Sequence, residues 1–153
     1  IRRLVGTGAP GPSGELLKMS KSLNNAILLS DDADTIHKKI MNMYTDPTRI
    51  RATDPGHIEG NPLWVFHDIF NPDQSWVEES KAKYQQGAIG DVACKRKLSE
   101  VLIEFLKPLH ERYKIYHNDP EQIIKLIKEG NTKANDLAND TLKRVKEATN
   151  QVF

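Results

Sequence analysis

The chain has 153 residues, one domain's worth with room for part of a second. With 38% hydrophobic and 28% charged residues it can bury a core, which excludes global disorder. A formal net charge of +1 says nothing by itself about nucleic acid, so any basic surface must be local. No apolar run approaches the roughly 18 residues of a membrane span. Cys94 is the single cysteine, which excludes an internal disulfide and fits a reducing cytoplasm.

The opening Ile1-Arg2-Arg3-Leu4 carries neither an initiator Met nor an apolar signal segment. We read it as a fragment of a longer protein that lacks its N-terminal part. Without such a signal, the glycosylation pattern Asn139-Asp140-Thr141 is read as chance.

Residues 1 to 5 read as the end of a strand feeding a turn-rich run, Gly6 to Gly14. Gly6-Thr7-Gly8-Ala9-Pro10-Gly11 spells a dinucleotide-binding fingerprint. That fingerprint needs a helix opening at its third glycine, and Pro12-Ser13-Gly14 follows instead, so it is rejected. Next comes Lys18-Met19-Ser20-Lys21-Ser22, a mobile surface loop rich in positive charge and hydroxyl donors. Ammonium groups and rotatable O–H groups together suit a polyphosphate.

Ser30-Asp31-Asp32 supplies capping oxygens for a helix whose face carries Ile36, Ile40 and Met43, and Asp46-Pro47 should end it. Residues 48 to 60 read as a connector with a turn at Asp54-Pro55-Gly56. Asn61-Pro62 opens a helix through Phe70. Ser75-Trp76-Val77-Glu78 reads as a capping box for a short helix ending near Gly87. Asp91 should cap the longest periodic run, from Cys94 through Leu98, Leu102 and Phe105 to Tyr116, with a kink at Pro108. Asp119-Pro120 starts another helix, interrupted at Gly130, and a last helix aligns Leu137, Thr141, Leu142 and Val145.

Lys18 to Ser22 resembles, letter for letter, the signature loop of class I aminoacyl-tRNA synthetases. The flanking Leu23-Asn24-Asn25-Ala26-Ile27 and Tyr44-Thr45-Asp46-Pro47-Thr48-Arg49-Ile50-Arg51 resemble the bacterial tryptophanyl-tRNA synthetases. So do the long helix with Leu106-Lys107-Pro108-Leu109 and the segment Lys128-Glu129-Gly130-Asn131. The resemblance covers nearly all of the chain beyond residue 15. The family's other ATP signature, His-Ile-Gly-His or a variant, is absent from these residues.

The resemblance implies a mainly α chain. Residues 1–47 would be the end of a Rossmann-type catalytic domain with its ATP loop, 48–60 a connector, and 61–153 a helical bundle that binds the tRNA anticodon arm. It implies activation of tryptophan by ATP with Mg²⁺ and transfer to tRNA(Trp), in a cytoplasmic homodimer with no membrane partner. Tryptophan would be held by the missing N-terminal half, so the fragment alone should be inactive. Lys18 and Lys21 are then the candidate catalytic residues, contacting the β- and γ-phosphates. Ser20 and Ser22 add hydroxyl donors, Met19 backbone contacts near the adenine, and the glycines around Gly14 hinge the loop. A tyrosyl-tRNA synthetase is the same-class alternative, and a non-catalytic helical module for RNA or protein the different-class one.

Lys95-Arg96-Lys97, and Lys143-Arg144 with Lys146, are candidate contacts to tRNA phosphates. Taken alone, such runs are solvated helix faces. The five histidines form no ligand set, and Trp64, Phe66, Phe70 and Trp76 at helical spacing read as core.

Overall fold

The computed structural model describes residues 4–151. It holds five helices: α1 (Ala33–Met41), α2 (Pro62–Phe70), α3 (Gln74–Gln85), α4 (Asp91–His117) and α5 (Pro120–Ala148). Among the described residues the β structure is one isolated antiparallel bridge, Val5 with Lys18. The fold is mainly α, as expected. The strand expected over residues 1 to 5 lies partly outside the described residues; Val5 is the part that pairs.

The chain forms two compact units, one running to His110 and one from Glu111. The core of the first unit is built from Ile36, Ile40 and Met43 around α1, Leu63, Trp64 and Phe66 on α2, Tyr84 on α3, and Cys94, Leu98, Leu102 and Leu106 on α4. Residues on both sides of the 48–60 segment therefore share one core. Trp64 and Phe66, each 1% exposed, lie in it as their spacing indicated. In the second unit α5 buries no residue, and Leu137 on it is 70% exposed. The apolar periodicity of α4 and α5 thus runs on beyond the packed core.

Local chemistry explains most helix ends. Asp32 caps α1 by accepting from Thr35 N–H at 2.8 Å. Asn61 caps α2 through Leu63 N–H at 3.0 Å, with Pro62 at the first helical position. Three boundaries differ from the sequence expectation. Helix α1 stops at Met41 because Asn42 leaves the helical region, and Asp46 serves elsewhere. Helix α3 is capped by Asp73, which accepts from Trp76 N–H at 2.9 Å, so Ser75 lies inside the helix. Helix α5 runs unbroken through Gly130, since one exposed glycine costs only about 1 kcal/mol against a long helix.

Pro108 does not end α4. Asp91 is the helix's first residue, and its carboxylate accepts from Arg49 and Tyr84 instead of capping it.

Candidate functional site

The Lys18–Ser22 loop emerges from a short backbone frame. Gly6 N–H donates to the Leu17 carbonyl at 2.7 Å, Thr7 N–H to the Asn25 carbonyl at 2.9 Å, and Tyr44 N–H to the Thr7 carbonyl at 2.9 Å. The segment Val5–Thr7 therefore grips both ends of the loop and ties it to the stretch after α1. Gly6 must be glycine here, because a Cβ would collide with the Asn25 side-chain amide.

Within the loop, Lys18 and Lys21 are both exposed, and among the described residues no carboxylate pairs with either ammonium. The Ser20 and Ser22 hydroxyls lie 2.8 Å apart in mutual hydrogen bond. The Met19 side chain packs against the core with Leu4 and Ile27, anchoring the loop from below. That cluster encloses a cavity of about 80 Å³ walled by Met19, Ile27, Phe66 and Leu106. The arrangement offers two free ammonium groups and two hydroxyls to an incoming anion, on a base fixed to the core.

In the sequence Asn25 is only a residue flanking the loop, with no role assigned to it. It is 4% exposed, and its amide accepts from Ser20 N–H at 2.7 Å and donates to the Lys18 carbonyl at 3.2 Å. No periodicity marks such a residue, and its contact with Gly6 is visible only in the structure.

Two further polar nodes position the 44–60 segment. The Arg49 guanidinium, 1% exposed in its side chain, meets Asp91 at 2.9 Å and donates to the carbonyls of Asp54, Ala52 and Ile89. It also lies 4.1 Å over the Tyr84 ring, whose hydroxyl donates to Asp91 at 2.7 Å. Burial and the Asp91 charge push the Tyr84 phenol up, keeping it a neutral donor.

Asp46 is the second node. Burial favours its neutral acid, but hydrogen bonds from Thr48 and His57 outweigh burial and hold its carboxyl well below the usual range. His57 reaches it at 2.8 Å with both the backbone N–H and the ring Nδ1.

The candidate tRNA-contacting residues divide. Lys95 is 4% exposed, and its ammonium donates to the Met43 carbonyl at 2.6 Å, Thr45 Oγ1 at 2.7 Å and the Met41 carbonyl at 3.2 Å. It fastens α4 to the segment after α1, and a buried, triply bonded ammonium is not offered to phosphate. That corrects its place in the basic run. Its place on the helix agrees with this: Lys95, Leu98 and Leu102 are three and seven apart, and all three are buried. Arg96 is exposed, Lys97 is half-buried and 4.0 Å from Glu100, and Lys143 and Arg144 are exposed on α5.

Among the described residues, no cluster of three or more His, Cys, Asp or Glu side chains is arranged to hold a metal. His67 is fully buried between the Cys94 carbonyl, at 3.0 Å from Nε2, and the Asn71 amide, at 3.2 Å from Nδ1. Burial lowers its pKa to about 4, so it is a neutral core histidine. Burial likewise pushes the Cys94 thiol up to about 12, leaving it inert. No described helix is long and apolar enough to cross a membrane.

Comparison with known proteins matches residues 10–107 to the family model for tRNA synthetases class I (W and Y). A tryptophan–tRNA ligase of Clostridium longisporum is 46% identical over 90% of this chain and 40% of its own length. That of Chlamydia caviae is 48% identical over 95% of the chain and 40% of its own length. The chain thus spans about 40% of the length of these curated relatives.

Among solved structures, the tryptophanyl-tRNA synthetase of Campylobacter jejuni covers 97% of this chain and 45% of its own at a TM-score of 0.78 and 26% identity. The same enzyme complexed with ADP and tryptophan gives 0.79 at 25% identity, over 98% of this chain and 44% of its own. An exposed lysine–serine loop on a helical core, matched along most of its length in this way, belongs to the class I tRNA synthetases (W and Y).

Proposed function

We propose that this chain is part of a tryptophan–tRNA ligase, which activates tryptophan with ATP and passes it to tRNA(Trp). The observation that carries the reading is the Lys18–Ser22 loop, which presents two unpaired ammonium groups and two hydroxyls on an anchored base. The similarity to tryptophan–tRNA ligases at 46–48% identity supports the choice of amino acid.

In activation, the tryptophan carboxylate attacks the α-phosphorus of ATP, and the bond to the pyrophosphate oxygen breaks. Negative charge accumulates on the leaving β- and γ-phosphates. ATP enters as its Mg²⁺ complex, a substrate. Lys21 and Lys18 bind the β/γ-phosphate oxygens as that charge grows, and the Ser20 and Ser22 hydroxyls exchange their mutual bond for bonds to phosphate. Such groups act mostly by positioning and electrostatic stabilisation. Met19 supplies backbone contacts near the adenine while its side chain stays in the core.

Residues 1–47 serve as the loop-bearing end of the catalytic domain, 48–60 as the connector, and 61–153 as the tRNA-binding helices. Arg96, Lys97, Lys143 and Arg144 meet tRNA phosphates. The protein works in the cytoplasm as a homodimer, with tryptophan held by parts of the ligase outside this chain.

The test is single-turnover adenylate formation by the full-length protein with Lys21→Ala. Loss of one preorganised charge should cost roughly 2.7–4 kcal/mol of transition-state stabilisation, or about a hundredfold or more in rate. An unchanged rate would remove Lys21 from the reaction.

A further inference from the structure

We propose that Asn25 is the positioning residue of the triphosphate loop. Its buried side-chain amide clamps the arm Lys18–Ser20 and confines loop movement to the tip Lys21–Asn24. The inference rests on the ATP-loop reading above and extends it to the residue that presets the loop's shape.

The geometry divides the loop in two. On the arm, the Asn25 amide takes the Ser20 N–H at 2.7 Å and gives a bond to the Lys18 carbonyl at 3.2 Å. Lys18 also pairs with Val5, and Met19 between them packs into the core. The arm is therefore held at each of its residues. The tip differs: Lys21, Ser22, Leu23 and Asn24 are all exposed, and the turn closes on itself through Asn24 N–H to the Lys21 carbonyl at 3.1 Å. Asn24 adopts a φ of 49°, the left-handed region that asparagine tolerates. A tip of this kind opens at low cost, whereas moving the arm breaks two part-buried hydrogen bonds.

The chemistry requires asparagine at position 25. The clamp needs one acceptor and one donor on a single planar group, facing an N–H and a carbonyl two residues apart. Aspartate supplies the acceptor without the donor, and serine or threonine is too short to bridge both. The partners also fix the amide's orientation, since the oxygen must face Ser20 N–H and the NH₂ the Lys18 carbonyl. Asn25 itself is held by its backbone carbonyl, which accepts from Thr7 N–H, and by the missing Cβ of Gly6, whose space its amide occupies. The frame at Val5–Thr7 thus reaches the Lys18 backbone directly and through one side chain.

Gly6 separates a clamp from a filler. In Asn25→Ala the amide atoms that a Gly6 Cβ would strike are gone, and the nearest remaining atom is the Asn25 backbone oxygen, 3.3 Å away. The double variant Gly6→Ala/Asn25→Ala therefore refills part of the space without restoring either hydrogen bond.

The experiment uses the full-length protein carrying this chain, as wild type, Asn25→Asp, Asn25→Ala and the double variant. It measures tryptophan-dependent ATP–pyrophosphate exchange, the KM for ATP and for tryptophan, and hydrogen exchange of the Ser20 amide. Asn25→Asp keeps the shape and the Ser20 bond but sets a carboxylate oxygen against the Lys18 carbonyl, so it breaks the donor half of the clamp even if the alanine variant folds poorly.

We expect kcat to fall about tenfold in Asn25→Asp and tenfold to a hundredfold in Asn25→Ala, one to two hydrogen bonds' worth. The KM for tryptophan should stay within about twofold, because the fold of the core is untouched. Ser20 amide exchange should accelerate at least tenfold in Asn25→Ala and stay slow in Asn25→Asp. The double variant should recover none of the lost kcat.

Recovery in the double variant would reduce Asn25 to a filler and overturn the proposal. Wild-type kcat in Asn25→Ala alongside fast Ser20 exchange would also overturn it. A wild-type protein with no tryptophan-dependent exchange would instead fell the ATP-loop reading, and the clamp's catalytic role with it. Those failures are distinguishable, because only the last appears before any substitution is made.

Discussion

Replacing Lys95 by Met removes an ammonium and keeps a stem of similar length and apolar character. Three acceptors lose their donor: the Met43 carbonyl at 2.6 Å, Thr45 Oγ1 at 2.7 Å and the Met41 carbonyl at 3.2 Å. Thr45 is exposed and borders an open groove of about 390 Å³, so water can replace its partner. Met41 borders the same groove, so water can reach its carbonyl too. The Met43 carbonyl is buried, and a buried acceptor left unpaired costs about 1–3 kcal/mol. Against that, the variant no longer desolvates a charge, a cost visible in burial lowering the Lys95 pKa. The expected net loss is roughly 1–2 kcal/mol.

Urea unfolding followed by circular dichroism measures that loss, and tRNA binding at several salt concentrations measures the second half of the argument. Lys95→Met should lose stability and keep the wild-type salt slope. Lys143→Glu with Arg144→Glu, both on the exposed surface of α5, should do the reverse. Their stability should stay within about 0.5 kcal/mol, while the slope of log affinity against log salt flattens by about one to two. If Lys95→Met left stability unchanged and flattened the slope, the ammonium would be a phosphate contact and the packing argument would be wrong.

Two further outcomes follow from buried groups and backbone geometry. His67 has a folded pKa of about 4 against an ordinary 6.5, so the unfolded chain binds more protons between those values. Its contribution is complete above pH 6.5 and is lost as pH falls toward 4, by about 3 kcal/mol in all. Unfolding midpoints between pH 7 and 4 test this, and His67→Gln should flatten the dependence; an equally steep curve in that variant would assign it to other groups. Gly87 sits at φ +70°, and a Cβ there would run into the Thr53 carbonyl. Gly87→Ala should cost roughly 2–4 kcal/mol, whereas Gly130→Ala, in open space on α5, should stabilise by about 1 kcal/mol. Equal effects of the two substitutions in thermal unfolding would contradict the geometry.

What was legible in the sequence was local. The loop Lys18–Ser22, the Asn61-Pro62 helix start and the core face of Cys94, Leu98 and Leu102 are written in adjacent residues or in helical spacing. What was not legible depends on partners distant along the chain. Asp91 reads as a cap, yet its carboxylate faces Arg49, 42 positions away. Lys95 reads as part of a basic run, yet its acceptors lie 50 to 54 positions earlier. Asp46 looks like a helix stop before proline, but it is consumed by Thr48 and His57. The capping reading of Ser75 failed for another reason: Asp73, two residues earlier, is also a strong cap, and pattern alone does not rank the two. Gly130 reads as a break, but an exposed glycine weakens a helix of 29 residues without breaking it.

The central claim is that the Lys18–Ser22 loop belongs to a ligase that activates tryptophan. The most direct measurement is amino-acid-dependent ATP–pyrophosphate exchange by the full-length protein, with tryptophan and tyrosine side by side. Exchange with tryptophan and not with tyrosine is the result expected. Exchange with tyrosine would keep the ATP loop and overturn the amino acid and its tRNA, and exchange with neither would contradict the catalytic reading outright.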